Sequence, residues 1–370
     1  MQSTPHATVA RRIKALREER GLTQGALAER MGLRHRQSLA SIEAGERAVS
    51  PDELVRAAEA LQVELSAFTD PFRLIGEGQF SFRADGVPAP MLDEFQERAG
   101  RWIATYRTLR DRAGVPRSHL GCRLELRRDS SYEDAQAAAE EVRREWGLGE
   151  VPAAVVVSAI ERELDARVLF VDAPKNLSGA AVHVPGLQAI LVNRNEPLGR
   201  RNFDIAHELF HLLTWDAMEP DRVEPREAPS GKGSRVERMA ENFAGALLMP
   251  ADVVTRRWQE RGEADLIEWL VTVATSLQVT AVALKWRLVV LGHLTKAEAK
   301  AIGDRELAGN GGSAGSTRPL LFDHELMARI HAAVDEGHLS LGRATRILGV
   351  TTQEFCELCA AYGLTLSYEV

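Results

Sequence analysis

The residues with the clearest chemical potential are His207, Glu208 and His211, which form an H-E-x-x-H pattern inside the apolar stretch NFDIAHELFHLLTW. Two histidines four residues apart on an α-helix project from the same face, about 6 Å apart along the axis. One Zn²⁺ ion could bind both imidazoles, and Glu208 could then act on a water molecule as a general base. The alternative is a pair of core histidines beside a solvated glutamate. Two imidazoles on an apolar face need polar partners, however, and a metal ion would supply them.

A catalytic zinc site with two histidines needs a third protein ligand and an open fourth position. Downstream, Glu237 and Glu241 lie four residues apart in SRVERMAENFAGALLMP and are expected to share a helix face. Two such carboxylates repel each other unless a cation lies nearby, which hints at a metal ion. Spacing alone does not choose between them. A solvated acidic face beside Arg235 and Arg238 is the alternative that involves no metal.

The elements that must position these residues are expected to form an α+β domain. SYEDAQAAAEEVRREWGLG and the segment after Pro152 have the pattern of amphipathic helices. Residues 167–171, 179–184 and 188–193 are rich in aliphatic residues and separated by turn signals, so they predict three short strands. We expect a small antiparallel sheet that leads into the helix carrying the two histidines. Asp204 is interpreted as a carboxylate in the N-terminal turn of that helix, where it would favour the helix dipole; the alternative is that it orients a ligand N–H.

The segments ILVN, RRNFDIAHELFHLL and VERMAENFAGALLMP together resemble the ImmA/IrrE metallopeptidase family, and the likeness extends over residues 131–295. The resemblance implies a zincin-like fold and places Glu237 at the third ligand position, so that His207, His211 and Glu237 would hold Zn²⁺. Glu208 would take a proton from the attacking water and deliver it to the leaving amine. The implied substrate is a regulatory protein, such as an XRE-type repressor or an antitoxin.

The stretch between His211 and Glu237 contains no histidine or tyrosine that could donate a hydrogen bond to a tetrahedral oxyanion. Arg235, Lys232 or a backbone N–H is expected to take that role instead. If none of them does, slow turnover is expected, because oxyanion stabilisation is a large part of such catalysis.

Residues 9–70 predict a run of short helices punctuated by glycines, and a short helix, a glycine-containing turn and a second helix describe a helix-turn-helix. The segments LREERGLTQGALAERMG and RQSLASIEAGER resemble the XRE (repressor-like) DNA-binding family over about 60 residues. The resemblance implies that the second helix begins on a phosphate and that the third enters the major groove of an operator. The predicted DNA-binding side chains are Gln24, Arg34, Arg36, Gln37, Ser38 and Ser41. A helix-turn-helix used only for protein contacts or dimerisation is the alternative.

The overall composition limits the number of domains, the kind of nucleic-acid contact and the cellular compartment of the protein. The 370 residues suit two or three domains, and the net charge of −7 limits any nucleic-acid contact to a local basic patch. Three cysteines are too few for a disulfide scaffold and indicate a reducing compartment. The most apolar long run, residues 266–291, carries charged side chains, so a buried helix pair is expected rather than a membrane span. We therefore expect a cytoplasmic protein.

The sequence predicts a multidomain chain with an all-α helix-turn-helix domain, an α+β metallopeptidase domain and a small all-α C-terminal unit. The predicted boundaries are 1–70 for the DNA-binding domain, 71–130 for a helical connector, 131–300 for the metallopeptidase domain, 301–317 for a flexible linker and 318–370 for the C-terminal unit. The flexible tether suggests that this last unit docks on a partner or covers the active site. Its Cys356-x-x-Cys359 pair is interpreted as core thiols.

The leading hypothesis is a transcriptional regulator with a zinc-dependent endopeptidase domain that cleaves a regulatory protein to control gene expression. The cleaved protein is a repressor, an antitoxin or this chain itself. The alternative is a non-proteolytic transcription factor whose metallopeptidase-like domain senses a ligand, a metal or a stress signal. A homodimer is expected, because repressor-like domains bind two half-sites.

Overall fold

The computed structural model describes residues 5–115, 123–224, 235–308 and 318–365. Within the first of these ranges, the N-terminal domain consists of short helices, namely α1 (Pro5–Glu19), α2 (Gln24–Arg30), α3 (Arg36–Glu43), α4 (Pro51–Leu61) and α5 (Ser66–Thr69). Thr23 caps α2, and Ser50 caps α4 through a reciprocal capping box with Glu53. The aliphatic side chains of these helices form a separate small core.

The later helices follow in chain order. They are α6 (Ala89–Arg112), α7 (Tyr132–Glu145), α8 (Val156–Leu164), α9 (Leu198–Thr214), α10 (Arg235–Leu248), α11 (Ala251–Gln259), α12 (Leu266–Ser276), α13 (Ala281–Val290), α14 (Lys296–Ala301), α15 (Asp304–Ala308), α16 (His324–Asp335), α17 (Leu341–Leu348) and α18 (Thr352–Ala361). The two histidines of the H-E-x-x-H pattern therefore lie on α9, and Glu237 lies in the first turn of α10.

A mixed sheet of five strands in the described residues lies at the centre of the molecule. Its strands are β1 (Gln79–Ala84), β2 (Arg167–Val171), β3 (Leu177–Val184), β4 (Leu187–Asn193) and β5 (Val223–Glu224), in the spatial order β2-β4-β3-β1-β5. Strand β3 pairs antiparallel with both β4 and β1, whereas β2 pairs parallel with β4, and β5 pairs parallel with β1.

The predicted fold class is confirmed, with a sheet that is larger and more mixed than expected. The three predicted strands correspond to β2, β3 and β4, but the expectation of a wholly antiparallel sheet is wrong. The chain reverses direction twice between β2 and β4, so these two strands point the same way and lie side by side. The predicted helical connector also supplies strand β1, because Phe80, Phe82 and Ala84 alternate with polar residues and bury one face.

The two faces of the sheet are covered by different layers. Ala181, Ile190 and Val192 face the core that contains α9 and α10. Ala180, Val182 and Leu191 face a second core that contains α6 and the C-terminal helices. The metal-ligand candidates on α9 therefore lie on the opposite side of the sheet from the C-terminal unit.

The C-terminal unit is packed against the body of the protein. Phe322 forms a bridge with Phe170 at the edge of β2, and Asp323 accepts hydrogen bonds from the buried Arg167. The expectation that this unit covers the active site is therefore wrong. The predicted linker at 301–317 is also wrong in its first part, because Asp304–Ala308 form α15 and Leu307 is buried in the core. Residues 309–317 lie outside the described residues.

No single helix in the described ranges is long and apolar enough to cross a membrane. Helices α12 and α13 have the required length and composition only as a pair, and the pair is bent by 104° at the break between them.

Candidate metal centre

Helices α9 and α10 bring three potential ligand atoms together. Nε2 of His207 lies 3.2 Å from Nε2 of His211 and 3.2 Å from Oε2 of Glu237, and Nε2 of His211 lies 3.3 Å from Oε1 of Glu237. Ligand atoms about 2.0–2.1 Å from one tetrahedral ion are separated by about 3.3 Å. The three side chains therefore have the spacing that a single small metal ion requires.

The chemistry of this donor set also fits a cation. Without a metal ion, both Nε2 atoms would have to be protonated to donate hydrogen bonds to Glu237. Two N–H groups would then face each other, with their nitrogen atoms 3.2 Å apart. A cation between them would satisfy all three atoms at once. Both Nδ1 atoms are buried without a hydrogen-bond partner among the described residues. His207, His211 and Glu237 are thus a group that could hold a metal ion.

Burial sets the protonation states of these ligands. Burial lowers the pKa of His207 to about 3, and the nearby Arg83 cation acts in the same direction, so the imidazole keeps its lone pair at neutral pH. Burial also opposes ionisation of Glu237, but hydrogen bonds from His207 and His211 outweigh it and lower the pKa of this carboxyl. Neutral imidazoles and a carboxylate are the forms in which these residues bind metals.

The alternative third ligand, Glu241, lies outside this group of donor atoms. Glu237 is on the buried face of α10, with 2% of its surface exposed, whereas Glu241 is half-buried one turn later. The helix packs closely against α7 and α9, and that packing selects which of the two carboxylates faces the histidines. This selection depends on tertiary contacts and could not be made from spacing.

Glu208 is held against strand β3. Only 2% of its surface is exposed, and the backbone N–H of Ala181 donates a hydrogen bond to its carboxylate. A Cβ added to Gly179 would lie 3.6 Å from Cγ and 3.7 Å from Oε1 of Glu208, so the Glu208 side chain packs directly on the backbone of β3. Burial raises the pKa of Glu208 well above its usual range, whereas the Arg83 cation lowers it.

Arg83 is a component of the site that the sequence did not reveal. Its Nε atom lies 3.3 Å from Oδ1 of Asp204, and both side chains are buried, with 4% and 0% exposed. Because α9 begins at Leu198, Asp204 lies in the middle of the helix, and the interpretation of a first-turn carboxylate is wrong. The one available signal was a lone arginine in the alternating segment QFSFRA, which follows a Gly-rich stretch.

Arg235, one of the predicted oxyanion donors, contacts the segment that leads into α7. Arg235 donates to the backbone carbonyls of Asp129 and Ser130 and stacks over the ring of Tyr132. These contacts occupy the Arg235 guanidinium in the described structure, and its role as an oxyanion donor stays a prediction. Lys232 lies outside the described residues.

The predicted DNA-binding residues lie at the start of α2 and in and just before α3. Arg34 is exposed in the turn before α3, and Arg36 and Gln37 are exposed at its start, whereas Ser38 in its first turn and Ser41 in its second turn are half-buried. These residues carry the hydrogen-bonding groups that an operator contact would need.

The side chain of Gln24 links helices α2 and α3. Its Nε2 donates to Glu43 at 2.9 Å, and its Oε1 accepts from Nε of Arg36 at 3.3 Å. Glu43 is also paired with the buried Arg17 of α1, with Nε to Oε1 at 2.6 Å. Gln24 therefore orients Arg36, in addition to any phosphate contact it makes.

Two family models match the chain. A helix-turn-helix model matches residues 13–68, and a model of the IrrE N-terminal-like domain matches residues 161–289. The second match contains all three potential ligands and Glu208, but it does not contain Arg83. No curated protein matches the chain.

Two solved structures that match the chain have very low similarity to it. PlcR from Bacillus thuringiensis, in complex with a peptide and DNA, has 13% identity and a TM-score of 0.17, over 96% of this chain and 93% of that one. ComR from S. thermophilus, in complex with DNA and its signalling peptide, has 11% identity and a TM-score of 0.17, over 96% and 100%. Scores of this size carry no argument about fold or function. From the two family matches, the chain is a fusion of an XRE-type helix-turn-helix domain with an ImmA/IrrE-type metallopeptidase domain.

Proposed function

We propose that this protein is a cytoplasmic, DNA-binding transcriptional regulator with a zinc-dependent endopeptidase domain of narrow specificity. The observation that carries the proposal is the group of His207, His211 and Glu237, whose donor atoms lie 3.2 to 3.3 Å apart. Two neutral imidazoles and one carboxylate are the ligand set of many catalytic zinc sites. Glu208, adjacent to the first histidine, is the candidate catalytic base.

Each residue of the site has a separate role in the proposed peptide hydrolysis. Zinc in such a site polarises a carbonyl group and lowers the pKa of a water molecule to about 7. Glu208 accepts a proton from the attacking water and delivers it to the leaving amine. The N–H of Ala181 holds the Glu208 carboxylate against β3 during this exchange. Because these side chains are buried, the electrostatic interactions among them are stronger than they would be in water.

The substrate is inferred to be a regulatory protein, either an XRE-type repressor or an antitoxin, or this chain itself. The helix-turn-helix match supports a role at DNA, with α3 in the major groove of an operator. Cleavage would then alter gene expression by removing a DNA-bound regulator. Two copies of the chain would bind the two half-sites of the operator as a homodimer.

The proteolytic proposal is tested by comparing wild-type cells with cells that carry Glu208→Gln. Purified wild-type protein should contain about one zinc ion per chain. Proteomic analysis should detect a shortened regulator, or a shortened form of this chain, only in wild-type cells. Glu241→Gln is the matched control, because this residue lies on α10 outside the ligand group, and cleavage should persist. Absence of zinc together with identical proteomes would refute the proposal.

Burial of the site favours a second candidate, a non-proteolytic regulator that senses a metal ion. His207, His211 and Glu237 are each only 1 to 2% exposed. The two candidates differ in the role of Glu208, which a metal sensor does not need for proton transfer. The metal-sensor hypothesis is supported if the Glu208→Gln protein retains zinc and full transcriptional regulation, and if removal of zinc from the protein abolishes regulation.

The DNA-binding proposal is tested separately with Arg36→Ala and an operator selected from random DNA. This substitution should weaken operator binding by about 1–3 kcal/mol if Arg36 reads a base edge. Arg56→Ala is the control, because Arg56 is exposed on α4, outside the predicted recognition helix, and operator binding should persist. Equal binding by wild type and Arg36→Ala would favour a helix-turn-helix used for protein contacts.

A further inference from the structure

We propose that Arg83 is a positioning residue of the peptidase site, which is held by Asp204 and fixes the Glu208 carboxylate against strand β3. The inference rests on the proposed function, because it assigns a role toward the candidate catalytic base. It adds to the site a residue from a strand that precedes the matched metallopeptidase segment at 161–289.

The register of the sheet places Arg83 beside Glu208. Arg83 on β1 is directly opposite Gly179 on β3, and a Cβ on Gly179 would lie 3.7 Å from Oε1 of Glu208. Residues directly opposite each other in an antiparallel pair share a face, with Cβ atoms about 4.5–5.5 Å apart. Phe82 and Ala84 belong to the core on the other face, so Arg83 points toward α9. The guanidinium is therefore within reach of the Glu208 carboxylate.

Asp204 anchors the other side of the guanidinium. Asp204 lies four residues before Glu208 on α9, so the two carboxylates are on one face of the helix, and Nε of Arg83 lies 3.3 Å from Asp204. A planar guanidinium presents donors in more than one direction and can serve two carboxylates. The ring of Phe203 lies 5.8 Å from Cζ of Arg83 and packs on the guanidinium. These contacts restrict the orientation of Arg83.

The ion pair between Arg83 and Asp204 compensates buried negative charge near the site. Three buried carboxylates, those of Asp204, Glu208 and Glu237, lie on α9 and α10 close to the two histidines. A buried carboxylate without a compensating cation is strongly destabilising. Arg83 pairs with Asp204 and supplies the cation that these buried carboxylates need on the β1 side of α9.

The test uses zinc-loaded full-length protein and acetohydroxamate as the probe. A hydroxamate chelates zinc and hydrogen-bonds to the neighbouring carboxylate, so its affinity reports the position of Glu208 without requiring a substrate. Arg83→Met should weaken acetohydroxamate binding about tenfold, the lower end of the cost of losing an outer-shell partner, with zinc affinity unchanged. In a Glu208→Gln background the same substitution should change binding by less than about twofold, because Arg83 acts through Glu208. Arg83→Lys should retain most of the affinity.

Several outcomes would overturn this assignment. An equal loss in both backgrounds would mean that Arg83 does not act through Glu208. A parallel loss of zinc affinity and hydroxamate affinity would mean that Arg83 only supports the fold. If Arg83→Met does not fold, Asp204→Asn takes its place in the same cycle, and additivity with Glu208→Gln again contradicts the role. Wild-type protein that binds no zinc would overturn the proposed function itself. If the protein binds zinc but the effects of the Arg83 and Glu208 substitutions are additive, only the assignment of Arg83 is overturned.

Discussion

At the scale of single residues, the two glutamates of α10 allow the ligand set to be tested with a matched pair. Glu237→Gln should lower zinc affinity at least about 100-fold, because losing a ligand costs more than losing an outer-shell partner. Glu241→Gln, one turn away, should change it by less than about twofold if the residue contacts only its own surroundings. Competition with a chromophoric chelator measures both affinities. A larger effect of Glu241→Gln than of Glu237→Gln would exchange their roles.

Local periodicity identified some residues of the site and could not identify others. His207, Glu208 and His211 were predictable because positions i and i+4 of a helix face the same way whatever the tertiary structure. The choice of Glu237 required a family resemblance, since the packing of α10 decides which carboxylate faces the histidines. Arg83 could not be predicted, because strand register places it opposite Gly179, almost a hundred positions along the sequence.

At the scale of elements, close packing between β3 and α9 makes Gly179 a sensitive position. A Cβ at Gly179 would lie 3.1 Å from the carbonyl oxygen of Leu191 and 3.6 Å from Cγ of Glu208. The contact with the Leu191 carbonyl oxygen is tight, so we expect Gly179→Ala to shift the β3 backbone that holds Glu208, to reduce Glu208-dependent cleavage, and to lower the free energy of unfolding by about 1–3 kcal/mol. Chemical denaturation and the proteomic comparison measure the two effects.

The control for this prediction is Gly245→Ala on α10. A Cβ at Gly245 would lie 4.0 Å from the end of the flexible Met249 side chain, so space is available. Alanine in a helix is favoured over glycine by about 0.5–1 kcal/mol, so this variant should be as stable as wild type or more stable. If Gly179→Ala behaved in the same way and retained cleavage, β3 would not constrain Glu208.

The capping box of α4 gives the N-terminal domain a specific dependence on pH. Hydrogen bonds from Arg47 lower the pKa of Glu53 from 4.5 to about 2, in spite of partial burial, and the N–H of Ser50 adds to the effect. A pKa that is lower in the folded state stabilises the fold above the unfolded value and loses that contribution as pH falls. The stability difference between wild type and Glu53→Gln should therefore be largest above pH 4.5 and vanish toward pH 2. Urea denaturation at a series of pH values measures it, and a constant difference would contradict the assignment.

The existence of most helices and three strands followed from apolar periodicity, but the complete sheet did not. Strand β1 comes from a glycine- and proline-rich stretch, and it was interpreted as part of a connector because six residues give little pattern. The parallel pairing of β2 with β4 arises because β3 occupies one edge of β4 and β2 occupies the other. Neither feature is encoded in the alternation of a single strand, so both needed the assembled structure.

At the scale of the whole molecule, the N-terminal domain is fastened to the body by the segment that leads into β1. Glu77 lies between Arg11 and Arg12 of α1 and Arg107 of α6, with its carboxylate 3.1 Å from Arg11 and 2.6 Å from Arg107. Gly76 packs so closely on α1 that an added Cβ would lie 2.4 Å from Cβ of Ala15. The DNA-binding domain and Arg83 are thus connected through one short, anchored stretch of chain.

Glu77→Gln should release the N-terminal domain from the body while leaving each core intact. The substitution leaves three arginines facing one another without their carboxylate, and breaking a buried ion pair in this way costs about 3–5 kcal/mol. All six tryptophans follow residue 100, so tryptophan fluorescence reports only the body, whereas far-ultraviolet circular dichroism reports every helix. In urea the two signals should coincide for wild type and separate for Glu77→Gln, with the dichroism transition beginning at lower urea. Glu97→Gln, an exposed α6 carboxylate paired with Arg73 and Arg101, should leave them coincident, and coincident signals in Glu77→Gln as well would mean that Glu77 does not couple the domains.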